Sequence, residues 1–166
     1  MFLDKESIEN IKKRKVTYVK NFTSIIEETY DFNKISNLVD KYSLSVMDKP
    51  GQINHYNSIW AIRYINKVDN QLFIFLDFLR KIFNYKIDQR DGVDLYFSFV
   101  TNTGRSHVDE EDVFLVGLYG KTIYRISETN EDFCLKRGDF LYIPKGIWHK
   151  AISVTPRSIA SVGFFS

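Results

Sequence analysis

The sequence predicts a mostly β fold with helices before it, and a change of pattern near Gly92 is the main observation behind this prediction. Beyond that residue, short β-rich runs alternate with polar turns. Several short strands at close, regular spacing are typical of a β-sandwich or barrel. An aromatic content of 16% also favours strands. The predicted strands cover 93–100, 113–119, 122–126, 133–135, 140–143, 148–154 and 159–165.

The part of the chain before Gly92 is predicted to be helical around one short strand. Helical patterns cover 5–13, 22–30 and 32–42, whereas 16–19 is rich in β-formers. The clearest helix covers 71–83, because its apolar residues recur on one face, and we expect this face to pack on a sheet.

Two segments are predicted to be loops at the barrel mouth. Segment 43–57 contains the turn signal Asp48-Lys49-Pro50-Gly51, and segment 86–92 precedes the first barrel strand. At 166 residues the chain is long enough for one domain with its own core. We therefore expect a single domain over 1–166, with 1–92 as a helical N-terminal support and 93–166 as the β core.

Bulk composition argues against several functional classes. A net charge of +2 gives no field that would select nucleic acid or an anionic membrane, and the basic run 12–15 is interpreted as a solvated helix end. The single cysteine, Cys134, excludes an intramolecular disulfide, and the first residues lack an apolar signal segment. We expect a cytoplasmic protein. We also expect no membrane span, because no apolar run is long enough.

The most informative segment of the sequence is Gly104-Arg105-Ser106-His107-Val108-Asp109, which leads into the predicted strand 113–119. On an extended chain, side chains two residues apart lie on the same face, so His107 and Asp109 can reach one point together. This His-x-Asp pair is a candidate metal chelate. Taken alone, it is more often a histidine that hydrogen-bonds the nearby carboxylate or the backbone.

A second segment, Gly138-Asp139-Phe140-Leu141-Tyr142-Ile143-Pro144-Lys145-Gly146, precedes His149 and predicts a turn, a strand, another turn and a strand that opens with histidine. Two imidazoles and one carboxylate on one octahedral face form the facial triad of non-haem Fe(II) oxygenases. We therefore predict that His107, Asp109 and His149 are both the metal ligands and the catalytic residues.

Together these motifs resemble those of the Jumonji-C-like and cupin-like hydroxylases. The resemblance also includes Gly120-Lys121 after the strand that follows Asp109, and the closing Ser158-Ile159-Ala160-Ser161-Val162-Gly163-Phe164. It implies a double-stranded β-helix, the jelly-roll barrel of cupins, from about residue 93 to the C-terminus. It also implies Fe(II) as cofactor and 2-oxoglutarate as a cosubstrate that is oxidatively decarboxylated while a C–H bond is hydroxylated.

The sequence departs from this family at the site for the far carboxylate of 2-oxoglutarate. The family often has a basic residue two places after the glycine that matches Gly120, where this chain has Thr122. Three arrangements could replace it: Lys121 through a shifted turn, Thr122 together with Tyr96 or Tyr124, and Arg157 on the last strand. This departure leaves open an alternative, a non-oxygenase cupin such as a metal-dependent isomerase, a 2-oxoglutarate-independent dioxygenase or a ligand-binding module.

Other conspicuous residues receive structural interpretations. The acidic run Glu110-Glu111-Asp112 is expected to be solvated, with one carboxylate orienting Arg105. Trp148 is expected to point away from His149 into packing, and Cys134 to lie in the core. His55 is expected on a surface or lid loop. The substrate class stays open among a protein side chain, a small molecule and a nucleic-acid base, and a homodimer is possible.

Overall fold

The computed structural model describes residues 1–23, 30–42, 45–46, 59–85, 92–99 and 105–165. Within these ranges the helices are α1 (Lys5–Lys12), α2 (Phe32–Tyr42) and α3 (Asn70–Phe83), together with a 3-10 helix at Ile65–Lys67. The strands are β1 (Thr17–Val19), β2 (Ser45–Val46), β3 (Trp60–Ile62), β4 (Val93–Ser98), β5 (Asp112–Tyr119), β6 (Lys121–Ile126), β7 (Glu131–Lys136), β8 (Phe140–Ile143), β9 (His149–Ser153) and β10 (Arg157–Phe164).

The strands form two antiparallel sheets that pack face to face. The larger sheet has the order β1-β8-β5-β10-β4-β3-β2, and the smaller has the order β7-β6-β9. Apolar side chains of both sheets, such as Leu115, Ile143 and Ile126, share one buried cluster between them. Every strand predicted beyond Gly92 is present, with ends that differ by one or two residues, and the prediction of a mostly β jelly roll is confirmed.

The helices pack on the outer face of the larger sheet. Leu72, Phe75 and Leu79 of α3 are fully buried and belong to the same core cluster as Val93 and Leu95 of β4. Alternation along β4 explains this arrangement, because its odd-numbered residues face the helices and its even-numbered residues face the space between the sheets. The predicted helical face of 71–83 therefore packs on a sheet, as expected.

The prediction that residues 1–92 form only a helical support with one strand is incomplete. Three N-terminal strands extend the larger sheet, with β1 paired to β8 at one edge and β2 and β3 added beyond β4 at the other. Ser45–Val46 lies in segment 43–57, so the loop prediction is wrong for these two residues. Strands of two or three residues are too short to show a period of two in the sequence.

Several predicted features lie outside the described residues. They are His55, most of the two mouth loops, and residues 24–29 of the predicted helix 22–30; its described ends, Phe22, Thr23 and Tyr30, are not helical. Within the described residues, no helix is both long enough and apolar enough to span a membrane.

Asp69 begins α3 and joins it to α2. Its carboxylate accepts hydrogen bonds from the backbone N–H groups of Gln71 (3.0 Å) and Leu72 (3.1 Å) and from the Tyr30 hydroxyl, and it pairs with Lys34 at 3.0 Å. Burial by itself raises the pKa of Asp69, but the hydrogen bonds from Tyr30 and Lys34 outweigh burial and hold this pKa below its ordinary value.

We expect Asp69→Ala to lower the free energy of unfolding by about 2 kcal/mol, since it removes both a helix cap and a buried charged acceptor. Because the folded-state pKa is depressed, this contribution is complete above the ordinary carboxyl pKa and is lost as the pH falls through the folded-state value. Urea unfolding of both proteins at pH 7 and pH 3 measures it. An equal difference at both pH values would contradict the assignment.

Candidate metal centre

Three side chains from two segments that are distant in sequence meet at one end of the space between the sheets. One ligand atom from each of His107, Asp109 and His149 can be chosen so that all lie within 4.8 Å of one another. The Asp109 carboxylate lies between the two imidazoles, with Oδ2 3.4 Å from Nε2 of His149 and Oδ1 3.8 Å from Nε2 of His107. The structure therefore brings together all three predicted metal ligands.

A pair of backbone hydrogen bonds sets the two histidines opposite each other. The N–H of His107 donates to the carbonyl of His149 at 3.0 Å, and the N–H of His149 donates back at 2.9 Å. His149 opens β9, whereas His107 lies in an isolated bridge before β5 rather than in a regular strand. The pairing is local and extended, which is sufficient for the two imidazoles to lie on the same face.

Both imidazoles are held in the same tautomer. Nδ1 of His107 lies 3.0 Å from the carbonyl oxygen of Arg105, and Nδ1 of His149 lies 3.0 Å from that of Ile147. A carbonyl can only accept, so each Nδ1 carries a proton, which leaves Nε2, directed towards Asp109, as the atom of each ring that can bind a metal. This is the usual second-sphere arrangement of metal-bound histidines.

Burial differs across the three residues and affects the protonation of His149. The side chain of His149 is 5% exposed, whereas those of Asp109 and His107 are 30% and 51% exposed. Burial lowers the pKa of His149, which keeps its imidazole neutral near pH 7. A neutral imidazole is the form that binds a metal ion.

The three residues open into a cavity of about 420 Å³ between the sheets. This volume is within the usual range for small-molecule sites, roughly 300–1,000 Å³. Inward-facing residues of both sheets line the cavity, and they alternate along each strand. Its wall includes Tyr96 of β4, Val113 and Leu115 of β5, Tyr124 of β6, Ala151 of β9, and Arg157, Ile159, Ser161 and Gly163 of β10.

Buried polar residues surround Arg157, at the inner end of this cavity. Arg157 lines the cavity, and Ser98, Thr122 and Ser153 each lie two positions along a strand from a wall residue and face the same way. Nε of Arg157 donates to Oγ of Ser153 at 2.9 Å, and that oxygen lies 3.4 Å from Oγ of Ser98. Nη1 of Arg157 and Oγ1 of Thr122 have no hydrogen-bond partner among the described residues.

An unpartnered guanidinium nitrogen in this position indicates a ligand. Arg157 is 2% exposed, and burial lowers its pKa. An arginine nevertheless remains cationic near neutral pH. Because a buried cation without a counter-charge is costly, an anion in the cavity would satisfy both its charge and its free N–H groups. The hydroxyl of Thr122 offers a further donor to the same ligand.

The other candidates for the 2-oxoglutarate site lie in different surroundings. Lys121 is exposed and is not among the cavity-lining residues, because β6 places Thr122 and Tyr124 on the inward face. Its backbone N–H is bound by Oγ1 of Thr155 at 2.9 Å, so the turn that would aim the lysine inward is not found. Tyr96 lines the cavity, and its hydroxyl accepts a hydrogen bond from Arg63 at 2.9 Å.

Two structural interpretations from the sequence are wrong. Asp112 is buried at 2% exposure instead of being solvated, whereas Glu110 is exposed and Glu111 lines the cavity beside Gly163. Trp148 is 51% exposed instead of packed. The sequence interpretation also missed Arg63, Asp94 and Glu111 as residues of the cavity mouth, where the inward parity of Asp94 with Tyr96 and of Glu111 with Val113 could have indicated two of them.

The fold and site define a class of protein: a double-stranded β-helix with a cluster of two histidines and one carboxylate at its open end. Residues 122–166 match the family model of the JmjC domain. The resemblance to the Jumonji-C-like hydroxylases is thereby confirmed. A search of the curated proteins found no significant match.

Solved structures of the ribosomal oxygenase YcfD from Escherichia coli share this fold. One has 18% sequence identity and a TM-score of 0.74, over 95% of this chain and 51% of YcfD. Another, in complex with cobalt and 2-oxoglutarate, has 18% identity and a TM-score of 0.73 over the same shares of both chains. A third has 17% identity and a TM-score of 0.75, over 100% and 52%. The chain thus spans about half the length of these relatives, and at this identity the likeness concerns the fold.

Proposed function

We propose that this protein is an Fe(II)- and 2-oxoglutarate-dependent oxygenase that hydroxylates a C–H bond. The observation that carries the proposal is the combination, in one cavity, of a triad of His107, Asp109 and His149 with a buried Arg157 at the opposite end, whose Nη1 has no hydrogen-bond partner among the described residues. The first group suits a divalent metal, and the second suits the far carboxylate of a dicarboxylate.

The donor set fits iron. Two imidazole nitrogens and one carboxylate oxygen leave other coordination positions open, as in the facial triad. A cosubstrate in the cavity could reach a metal held by the triad, because Tyr124 and Arg157 line the same space as His149. At such a triad, bound Fe(II) supplies the coordination of the cosubstrate and of O2 and the redox chemistry that joins decarboxylation of 2-oxoglutarate to hydroxylation.

The residues of the chain bind and orient the reactants. Asp109 supplies the anionic ligand, and the fixed tautomers of His107 and His149 direct their Nε2 atoms towards it. Arg157 binds the far carboxylate through Nη1, with Thr122 as a neutral donor beside it. Tyr96 has a hydroxyl proton available to a ligand, since its oxygen accepts from Arg63 and its ring lines the cavity. Lys121, by contrast, faces away from this site.

The position of Arg157 in the cavity also weakens the argument for a non-oxygenase cupin, which rested on Thr122 in place of a basic residue. The family position two places after Gly120 is the neutral Thr122 here, but a positive charge is present inside the same cavity at Arg157 on β10. YcfD, described as a ribosomal oxygenase that binds cobalt and 2-oxoglutarate, supports the same cosubstrate. The substrate class remains open among a protein side chain, a small molecule and a nucleic-acid base. We also propose that the chain forms a single domain, acts in the cytoplasm and can form a homodimer.

The test is iron-dependent conversion of 2-oxoglutarate to succinate by the purified chain. We expect slow succinate formation without a primary substrate, strictly dependent on Fe(II) and O2, because the cosubstrate can be consumed uncoupled from hydroxylation. Anaerobic calorimetric titration of the Mn(II)-loaded protein with 2-oxoglutarate should show binding. A protein that binds Mn(II) but not 2-oxoglutarate would overturn the oxygenase proposal in favour of a metal-binding cupin.

A further inference from the structure

The segment that leads into His149 is fixed at every backbone N–H. From Lys145 to His149, five consecutive N–H groups each donate a hydrogen bond to a different acceptor. In chain order the acceptors are Oδ1 of Asp112 (2.9 Å), the carbonyl of Asp109 (3.0 Å), the carbonyl of Pro144 (3.3 Å), Oε1 of Glu128 (2.7 Å) and the carbonyl of His107 (2.9 Å). Three of the five acceptors therefore belong to residues 107–112, the stretch from the first ligand of the triad to the first residue of β5.

Two of these acceptors are side chains, and their surroundings differ. Glu128 is exposed in the turn after β6, so water can replace its hydrogen bond to Trp148 at little cost. Asp112 is 2% exposed, and no water can take its place without opening the structure. The bond from the Lys145 N–H to this buried carboxylate is charge-assisted and correspondingly stronger than a neutral one.

Two residues from earlier in the chain, Arg14 and Tyr85, bind the Asp112 carboxylate. Its Oδ2 accepts a hydrogen bond from the Tyr85 hydroxyl at 3.2 Å and lies 3.4 Å from Nη2 of Arg14. The carboxylate thus has a fixed position from which it binds the turn before β9. Adjacent to it, the Gly146 N–H binds the backbone of Asp109, so two neighbouring bonds join the two segments that carry the metal ligands.

We infer that Asp112 is a positioning residue of the metal centre, which holds His149 at the correct separation from His107 and Asp109. The inference rests on the proposed metal site and extends it to a residue that is not a ligand. Without Asp112, the turn at Lys145 loses its buried anchor, and the two segments that carry the triad stay joined by the backbone bonds of Gly146 to Asp109 and of His107 with His149. The apo protein can then remain folded while the three ligand atoms are less well preorganised.

The chain offers a matched control in Asp139. It is also buried, at 4% exposure, and it also accepts from a tyrosine hydroxyl (Tyr18, 2.7 Å) and a backbone N–H of a turn (Lys136, 3.0 Å). A further bond comes from the N–H of Asn21 at 3.0 Å. None of these partners belongs to the segments that carry the triad, so loss of Asp139 affects stability alone.

The experiment compares Mn(II) affinity and thermal stability in wild type, Asp112→Ala, Asp112→Asn and Asp139→Ala. Asp112→Ala should weaken Mn(II) binding about tenfold, the lower end of the usual effect of residues that support metal ligands. Asp112→Asn keeps an oxygen acceptor and should recover most of the affinity. Asp139→Ala should lower the Tm and leave Mn(II) affinity unchanged.

Two results separate the possible failures. If wild type binds no Mn(II), the proposed function fails. If wild type binds it and both alanine variants bind equally well, only the positioning role of Asp112 is overturned.

The wild type alone provides a test that does not depend on folding of the variants. If the hydrogen bond from Lys145 to Asp112 favours metal binding, metal binding must favour that hydrogen bond by the same factor. Zn(II) should therefore slow amide hydrogen exchange at Lys145 about tenfold relative to the apo protein, but not at Lys136. Unchanged exchange at Lys145 would contradict the inference.

Discussion

Asp109→Ala is expected to abolish binding of Fe(II) or Mn(II) while the protein stays folded. The carboxylate is the only anionic member of the triad, and its oxygens lie 3.4 and 3.8 Å from the two Nε2 atoms. Loss of a residue that merely supports a ligand typically costs ten- to a hundredfold in metal affinity, so loss of the ligand itself should exceed about a hundredfold. At 30% exposure its side chain contributes little to the core.

Calorimetric titration with Mn(II) and elemental analysis after loading with Fe(II) measure this effect. His107→Ala and His149→Ala should have the same outcome, because each removes one of three ligands. Asp109→Glu should also impair activity, since the extra methylene displaces the carboxylate. Asp132→Ala is a suitable control, because this exposed carboxylate pairs with Arg125 at 2.7 Å outside the cavity. Full metal occupancy in the His149 variant would show that the site lies elsewhere.

The triad could be predicted from the sequence because its chemistry is concentrated in two short motifs. His107 and Asp109 are two residues apart, so parity places them on one face, and the motif that precedes His149 resembles that of the family and identified the third ligand. The regular strands beyond Gly92 were predictable for a similar reason, since each is at least four residues long. The strands β2 and β3, with two and three residues, carry no such signal.

The sequence interpretation could not rank the anchors for 2-oxoglutarate, because that ranking depends on which face of each strand turns inward. Lys121 looked plausible from its nearness to Gly120, yet in β6 it faces outward and Thr122 faces inward. The burial of Asp112 was equally hidden. Its partners Arg14, Tyr85 and Lys145 come from three separate parts of the chain, and only the tertiary fold joins them.

The second large effect concerns Arg157, which should dominate affinity for 2-oxoglutarate. Arg157→Met keeps much of the side-chain volume but removes the buried cation whose Nη1 has no partner among the described residues. A hydrogen bond to a charged group contributes about 1.5–3 kcal/mol, which corresponds to roughly ten- to a hundredfold in the Kd. Affinity for Mn(II) should hardly change, because Arg157 is a cationic donor and is not one of the three proposed ligands.

Anaerobic titration of the Mn(II)-loaded variants with 2-oxoglutarate gives the comparison. Lys121→Ala should be nearly silent, since its side chain lies outside the cavity, and Thr122→Val should lose less than Arg157→Met because a neutral hydrogen bond is weaker than a charged one. Arg157→Lys should recover part of the affinity, because it restores the charge but not the two-pronged geometry of a guanidinium. If Lys121→Ala weakens 2-oxoglutarate more than Arg157→Met does, the cosubstrate must enter with its far carboxylate towards the turn at Gly120, and the polar inner end around Ser98, Ser153 and Arg157 must serve another ligand.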